Sequence, residues 1–172
     1  PLYRSRLTRG LIGLEQQTSA RASSELGLRS FPNNRNAIYD RATVAIADLD
    51  YALSKRLARR LHELGPRKAQ DWFDLASIYD GAGQMDSAFY YYSIGLGFDP
   101  WSVQANHRVG IIYKRLGRFE EAHFHYDRAL TSDQTYSPVI NSKVQAYLWQ
   151  HDYAEAYRWV LRYNENSYGD VH

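Results

Sequence analysis

The sequence predicts an all-α fold, a right-handed superhelical solenoid of about five stacked helix-turn-helix hairpins. Three observations carry that expectation. Side chains recur with a period of 34 residues: Tyr79 returns as Tyr113 and Tyr147, Ala88 as Ala122 and Ala156, Gly83 as Gly117, and Tyr92 as Tyr126. Prolines keep the same step at Pro32, Pro66 and Pro100. Within a period, apolar residues fall at helical spacing on both sides of a glycine turn, with Leu75, Ile78 and Tyr79 before Gly83 and Ala88, Tyr91, Tyr92 and Leu96 after it.

Five units then tile residues 1–172 as one array, at 1–34, 35–68, 69–102, 103–136 and 137–170. The first rests on Leu7, Leu11, Ala20, Leu28 and Pro32. The second rests on Ala42, Tyr51, Ala58, Leu61 and Pro66, with Arg41 at a place where an apolar residue is expected. The third runs Trp72-Phe73-Asp74-Leu75-Ala76-Ser77-Ile78-Tyr79, then Gly83, Ala88, Tyr92, Gly95 and Pro100. The fourth has Val109, Gly110, Tyr113, Gly117, Phe119, Ala122, Tyr126 and Ala129. The fifth keeps Tyr147, Tyr153 and Ala156 but carries Lys143 and His151 in place of leucine and glycine. The third and fourth units closely resemble the tetratricopeptide repeat family signature, and the resemblance extends more weakly along the whole chain.

The boundaries follow from backbone chemistry. Asp99-Pro100 and Gly65-Pro66 should each stop a helix, because proline lacks an amide proton and disfavours a helical residue before it. Ser137-Pro138 should start one, with serine as cap and proline at the first helical position. Gly110 against Ala122, and Ala76 against Ala88, are expected to let paired helices approach closely. A hairpin of this kind cannot bury its apolar face alone, so neighbours must stack. The start at Pro1 and the end at His172, with no extra solvating helix, suggest a piece of a longer protein; uncapped ends would also permit self-association.

Composition narrows the function classes. A 44% hydrophobic and 15% aromatic content can cover a sizeable core, and a net charge of +2 is that of a globular chain rather than a disordered one. There is no cysteine, which rules out disulfides and thiolate metal sites and leaves the compartment open. No apolar run is long enough for a transmembrane segment. Catalytic chemistry is not legible: His123 and His125 lie two places apart, about 200° around a helix, so they cannot form a ligand pair. No nucleophile arrangement or glycine-rich phosphate loop occurs either, and Gly81-Ala82-Gly83 reads as a turn. Neither an enzyme nor a cofactor or metal site is expected.

What remains is surface. The resemblance implies a concave face lined by the first helix of each unit, and positions 2, 5, 9 and 12 share one stripe of such a helix. That strip reads Asn36, Tyr39 and Thr43; then Gln70, Phe73, Ser77 and Asp80; then Gln104, His107, Ile111 and Lys114; then Asn141, Gln145 and Leu148. Asp40, Asp74, Arg108 and Arg115 lie at its margin. An amide-rich floor with Tyr39, Phe73 and His107 suits a peptide or protein partner, since amides bond backbone and aromatics supply contact area. The carboxylate clamp of one chaperone-binding subfamily is not implied, because Ser5, Arg9 and Tyr39 stand at the clamp positions.

Charge is polarised. Residues 1–68 carry 13 Lys and Arg against 6 Asp and Glu, a net +7, whereas residues 69–172 carry 8 against 13, a net −5. Lys55, Arg56, Arg59 and Arg60 cluster on one predicted helix, a patch suited to an acidic protein or an anionic surface. No groove-reading module accompanies it, so nucleic acid is not an expected partner. The expected function is a protein-interaction scaffold. The alternative is a docking or regulatory arm of a larger enzyme or bacterial envelope or secretion machine.

Overall fold

The computed structural model describes residues 17–168. Among these residues there are nine helices and no strand: α1 (Gln17–Ser30), α2 (Arg35–Ala47), α3 (Tyr51–Glu63), α4 (Ala69–Gly81), α5 (Met85–Phe98), α6 (Val103–Arg115), α7 (Phe119–Ser132), α8 (Ser137–Trp149) and α9 (Tyr153–Tyr168). They fall into two compact units that divide within α5, after Tyr91. The expectations on Leu7 and Leu11, and on the chain ends, lie outside the described residues.

Local chemistry places the helix starts. Asn34 accepts the Ala37 amide at the head of α2, Asp50 that of Leu53 at α3, Ser102 that of Ala105 at α6, and Asp152 that of Glu155 at α9. Each satisfies one amide that the first turn leaves without a partner. The start of α8 differs by one residue from the expected one: Ser137 is already helical, Tyr136 occupies the cap without a side-chain bond, and Ser137 Oγ donates to the Thr135 carbonyl at 3.4 Å. Pro138 still sits in the first turn, where its missing amide costs nothing.

The turn inside each hairpin repeats one backbone device. Gly83 and Gly117 have φ of 72° and 73°, and at the equivalent places Leu49 and His151 have φ of 60° and 59°. The left-handed conformation is therefore required by the hairpin geometry whether or not glycine supplies it. For a residue with a Cβ it is strained.

In the first unit α2 packs on α1, α3 and α4. Its core joins Ile38 and Ala42 of α2, Leu57, Ala58 and Leu61 of α3, and Leu75 and Ile78 of α4. Arg35 reaches across to the carbonyls of Leu61 and Gly65, each at 3.3 Å, and to Asp71 at 3.4 Å, thereby satisfying the exposed carbonyl end of α3. Arg41, the polar residue at an apolar place, is accommodated by Glu25 of α1 at 3.4 Å. Tyr91 stacks on Tyr79 and Trp72 and leaves Tyr90 exposed at its edge.

In the second unit α6 pairs with α7, α8 with α9, and α8 also packs on α7 and α6. Ala122, Tyr126, Ala129 and Leu130 of α7 meet Val139, Ile140 and Ala146 of α8. The expected close approach of Gly110 to Ala122 takes a different form. A Cβ on Gly110 would stand 2.4 Å from Tyr126 Cε1, so it is the fully buried Tyr126 ring that excludes a side chain there. Lys143, standing where leucine was expected, is buried beneath the Trp159 ring at 4.3 Å and pairs with Asp127 of α7. A cation thus performs an apolar residue's packing with its stem while its ammonium finds an acid.

Candidate partner-binding faces

First helices expose a stripe in each unit, and the stripe is built from the packing just described. In the first unit Asn36 and Tyr39 on α2, and Phe73 and Asp74 on α4, are half-buried, whereas Gln70 is exposed. The Tyr39 hydroxyl lies 3.1 Å from Ser77 Oγ, which joins α2 to α4 side by side. Gln70 donates to Asp74 at 2.8 Å along its own helix. Asp40, expected at the margin, is instead buried at 3% exposure. Helical spacing puts it on the flank turned toward the core, which a stripe drawn from one helix does not distinguish.

In the second unit the same lateral bonding recurs with different chemistry. His107 Nε2 on α6 lies 2.8 Å from Ser142 Oγ on α8, and its ring meets Tyr136 edge-on. Lys114 donates to Gln145 Oε1 at 2.8 Å and lies 5.3 Å above the Trp149 ring. Gln104, Arg108, Asn141 and Gln145 are exposed around these bonds. Burial followed by the positive field of Arg108 and Lys114 pushes the His107 pKa down to about 4, so the imidazole is neutral at pH 7. Lys114 is likewise pushed down, by burial first and by Arg115 second.

The two histidines of α7 do diverge. His123 stacks on Tyr147 of α8 at 4.1 Å and lies 2.9 Å from Gln150 Nε2. His125 turns to α6, with Nδ1 3.0 Å from Asn106 Oδ1 and its ring on Tyr113. Burial holds both below the usual histidine range, His125 at about 4. Asn106 is fully buried and donates to the carbonyls of Pro100 and Ser102 at 2.9 Å each, which ties the loop before α6 to the hairpin. Sequence reasoning passed over Asn106 and Ser142; both are small polar residues on otherwise apolar flanks, and that contrast was the available signal. Trp101 lies under the guanidinium of Arg128 and Trp149 under the ammonium of Lys114, while both rings remain more than half exposed.

No group of three histidine, aspartate or glutamate side chains among the described residues is placed to hold a metal ion. None of the described helices is long and apolar enough to cross a membrane.

Comparison with known proteins agrees with this architecture. Residues 103–136 match the tetratricopeptide repeat family. Over 110 residues the chain is 26% identical to anaphase-promoting complex subunit 3 of Schizosaccharomyces pombe, a match covering 64% of this chain and 16% of that protein. Among solved structures, PilW, a type IV pilus biogenesis factor, superposes with a TM-score of 0.84 at 18% identity, covering 95% of this chain and 76% of that one. A thermophilic tetratricopeptide protein of Thermus thermophilus gives 0.81 at 19% identity, covering 99% and 93%. YrrB, described as a tetratricopeptide protein with an unusual peptide-binding site, gives 0.67 at 13% identity, covering 98% and 87%. With its 34-residue repeats, its helical hairpins and these likenesses, the chain carries one segment, residues 103–136, that matches the tetratricopeptide repeat and has the all-α fold of the tetratricopeptide structures it resembles, and that architecture supports a protein-interaction scaffold in general.

Proposed function

We propose that the chain is a protein-interaction scaffold that holds a peptide or protein partner on the faces of its first helices. Each unit contributes its own strip. In the first, Asn36, Gln70, Phe73 and Asp74 surround the Tyr39–Ser77 bond; in the second, Gln104, Arg108, Asn141 and Gln145 surround the His107–Ser142 and Lys114–Gln145 bonds. The observation that carries this reading is the lateral bonding. It locks the floor of each strip between adjacent helices, so a partner meets positioned donors and acceptors and loses less freedom on binding than it would against mobile side chains. Exposed amides above such a floor can bond an extended backbone, and Phe73 adds aromatic contact area.

The test uses a displayed random-peptide library selected on the immobilised protein. Peptides enriched on the wild type are titrated against a Gln104→Ala/Arg108→Ala/Asn141→Ala variant and a Gln70→Ala/Phe73→Ala variant. About tenfold or greater weakening by either variant is expected, since one central contact is worth about 1–3 kcal/mol. Enriched peptides that bind both variants as tightly as the wild type would remove these faces from consideration.

A second reading, a docking or regulatory arm of a larger enzyme or envelope machine, draws support from one fact: the chain corresponds to only 16% of the length of its curated relative. The full coding sequence decides between the two. A catalytic or membrane-embedded segment joined to this array would favour the arm.

A further inference from the structure

The outer face of α3 carries an arrangement that the helix does not need for its own stability. Arg56, Arg59, Arg60 and Glu63 stand three, four and seven places apart, which aligns them on one stripe. With Leu57 they line an open cavity of about 440 Å3. Lys55 flanks the row one residue before Arg56.

Five arginines elsewhere meet acids, while Arg128 and Arg162 lie over aromatic rings and Arg29 and Arg67, single cations rather than a row, enter no ion pair among the described residues. Arg21 pairs with Asp48, Arg35 with Asp71, Arg41 with Glu25, Arg118 with Glu121 and Arg158 with Glu155. Among the described residues Lys55, Arg56 and Arg59 enter no ion pair, and Arg60 donates only to the neutral amide oxygen of Asn33 at 3.2 Å. Proximity to the carbonyl end of α3 accounts for Arg60 in the last turn but not for Lys55 or Arg56 farther back. Like charges one turn apart on a helix are destabilising. Lys55 with Arg59, and Arg56 with Arg60, therefore weaken the helix slightly, and Glu63 four places after Arg59 offsets only part of that.

We propose that this arginine-lined face of α3 is an anion-binding site for an acidic segment of a partner protein. Arginine, unlike a point-charge ammonium, offers a planar fork that matches a carboxylate bidentately. Among the described residues the cavity is lined by α3 alone, with Leu57 as its apolar member and Glu63 at one end of the row. That shape accepts a run of carboxylate side chains and is poorly matched to a flat anionic membrane, where the carboxylate of Glu63 would face the headgroups. The site is separate from the first-helix strips and does not depend on them.

The experiment is fluorescence anisotropy of a labelled acidic decapeptide of alternating glutamate and glycine, with its glutamine counterpart as the neutral probe. The acidic peptide should bind the whole chain more weakly as salt rises, and the neutral one should not bind. An Arg56→Gln/Arg59→Gln variant should weaken binding about tenfold or more, whereas Arg118→Gln/Arg158→Gln, which removes the same net charge elsewhere, should leave it unchanged. Circular dichroism confirms that each variant keeps its helices. Equal weakening by the two double variants would reduce the effect to overall charge and overturn the site. So would failure of the acidic peptide to bind, or sedimentation with phosphatidylserine vesicles, in the absence of peptide binding, that the α3 variant abolishes.

Discussion

The fifth place of the repeat carries Tyr39 in one unit and His107 in the other, and both make a lateral bond from one first helix to the next, to Ser77 and to Ser142. Yet the phenol of Tyr39 is joined to a hydroxyl, whereas the second unit uses an imidazole and adds a buried ammonium, Lys114, to the same face. Repeat geometry dictates that a side chain must bridge there. It leaves the chemistry of the bridge open, so one scaffold can carry a phenol in one place and an imidazole kept neutral by burial in another. The same divergence separates the glycines: Gly81 sits against the end of a flexible Ile46 side chain, and Gly110 against a fully buried tyrosine ring.

The largest contrast should come from those glycines. Gly110→Ala forces a Cβ to 2.4 Å from the Tyr126 ring, which is enclosed and cannot swing away. A cost of about 2–3 kcal/mol is expected, and more for Gly110→Leu. In Gly81→Ala the contacts are 2.9 Å to Ile46 Cδ1 and 3.2 Å to its Cγ2; the half-buried Ile46 can turn aside more readily than the enclosed Tyr126 ring, and alanine's helix preference offsets the remaining strain. Urea unfolding should place that variant within about 0.5 kcal/mol of wild type. Equal effects at the two sites would mean that Tyr126 is not the constraint.

A smaller contrast should appear with pH. His107 and His125 have folded pKa values of about 4, below the ordinary 6.5, so the unfolded chain takes up protons first. Their contribution is whole above pH 6.5 and is lost as pH falls from 6.5 through about 4. It amounts to on the order of 1 kcal/mol each once the solvent still reaching both rings is discounted. Hydrogen exchange at pH 7.5 and 4.5 should show α6–α8 losing protection while the Tyr39–Ser77 region changes less, and His107→Gln/His125→Gln should flatten the difference. Uniform loss across both units would break the comparison.

The smallest effect should be the same in both units. Leu49 and His151 adopt left-handed backbone at the place where Gly83 and Gly117 stand. Leu49 is 70% exposed, so Leu49→Gly forfeits little packing. Leu49→Gly and His151→Gly should each raise stability by about 0.5–1 kcal/mol in thermal melts, because relief of the Cβ clash exceeds glycine's entropic cost.

Parts of this molecule were legible before any coordinates. A 34-residue recurrence of small residues, tyrosines and prolines can be read from one chain because each repeat solves the same steric problem, and the helix ends at Asp99-Pro100 and Gly65-Pro66 fall where the backbone chemistry put them. The cap of α8 was misplaced by one residue because serine and tyrosine both tolerate that position and only hydrogen-bond geometry separates them. The candidate strip was legible as a set of positions. Its internal bonds, and the inward turn of Asp40, were not.

From its order of residues alone, this protein's all-α class, its repeat length and the glycine turns at Gly83 and Gly117 were determined, since these depend on backbone sterics and on side chains near in sequence. Tertiary structure decided that Tyr126 fills the space over Gly110, that Lys143 lies buried with Asp127, that His107 and Lys114 commit their polar atoms to α8, and that the arginines of α3 meet no acid among the described residues. Each of these is a meeting of side chains about 16 to 35 residues apart, or the lack of one. Long flexible side chains choose among several such partners only after the helices have packed, when distance, burial and the loss of water fix which pairing is lowest in free energy.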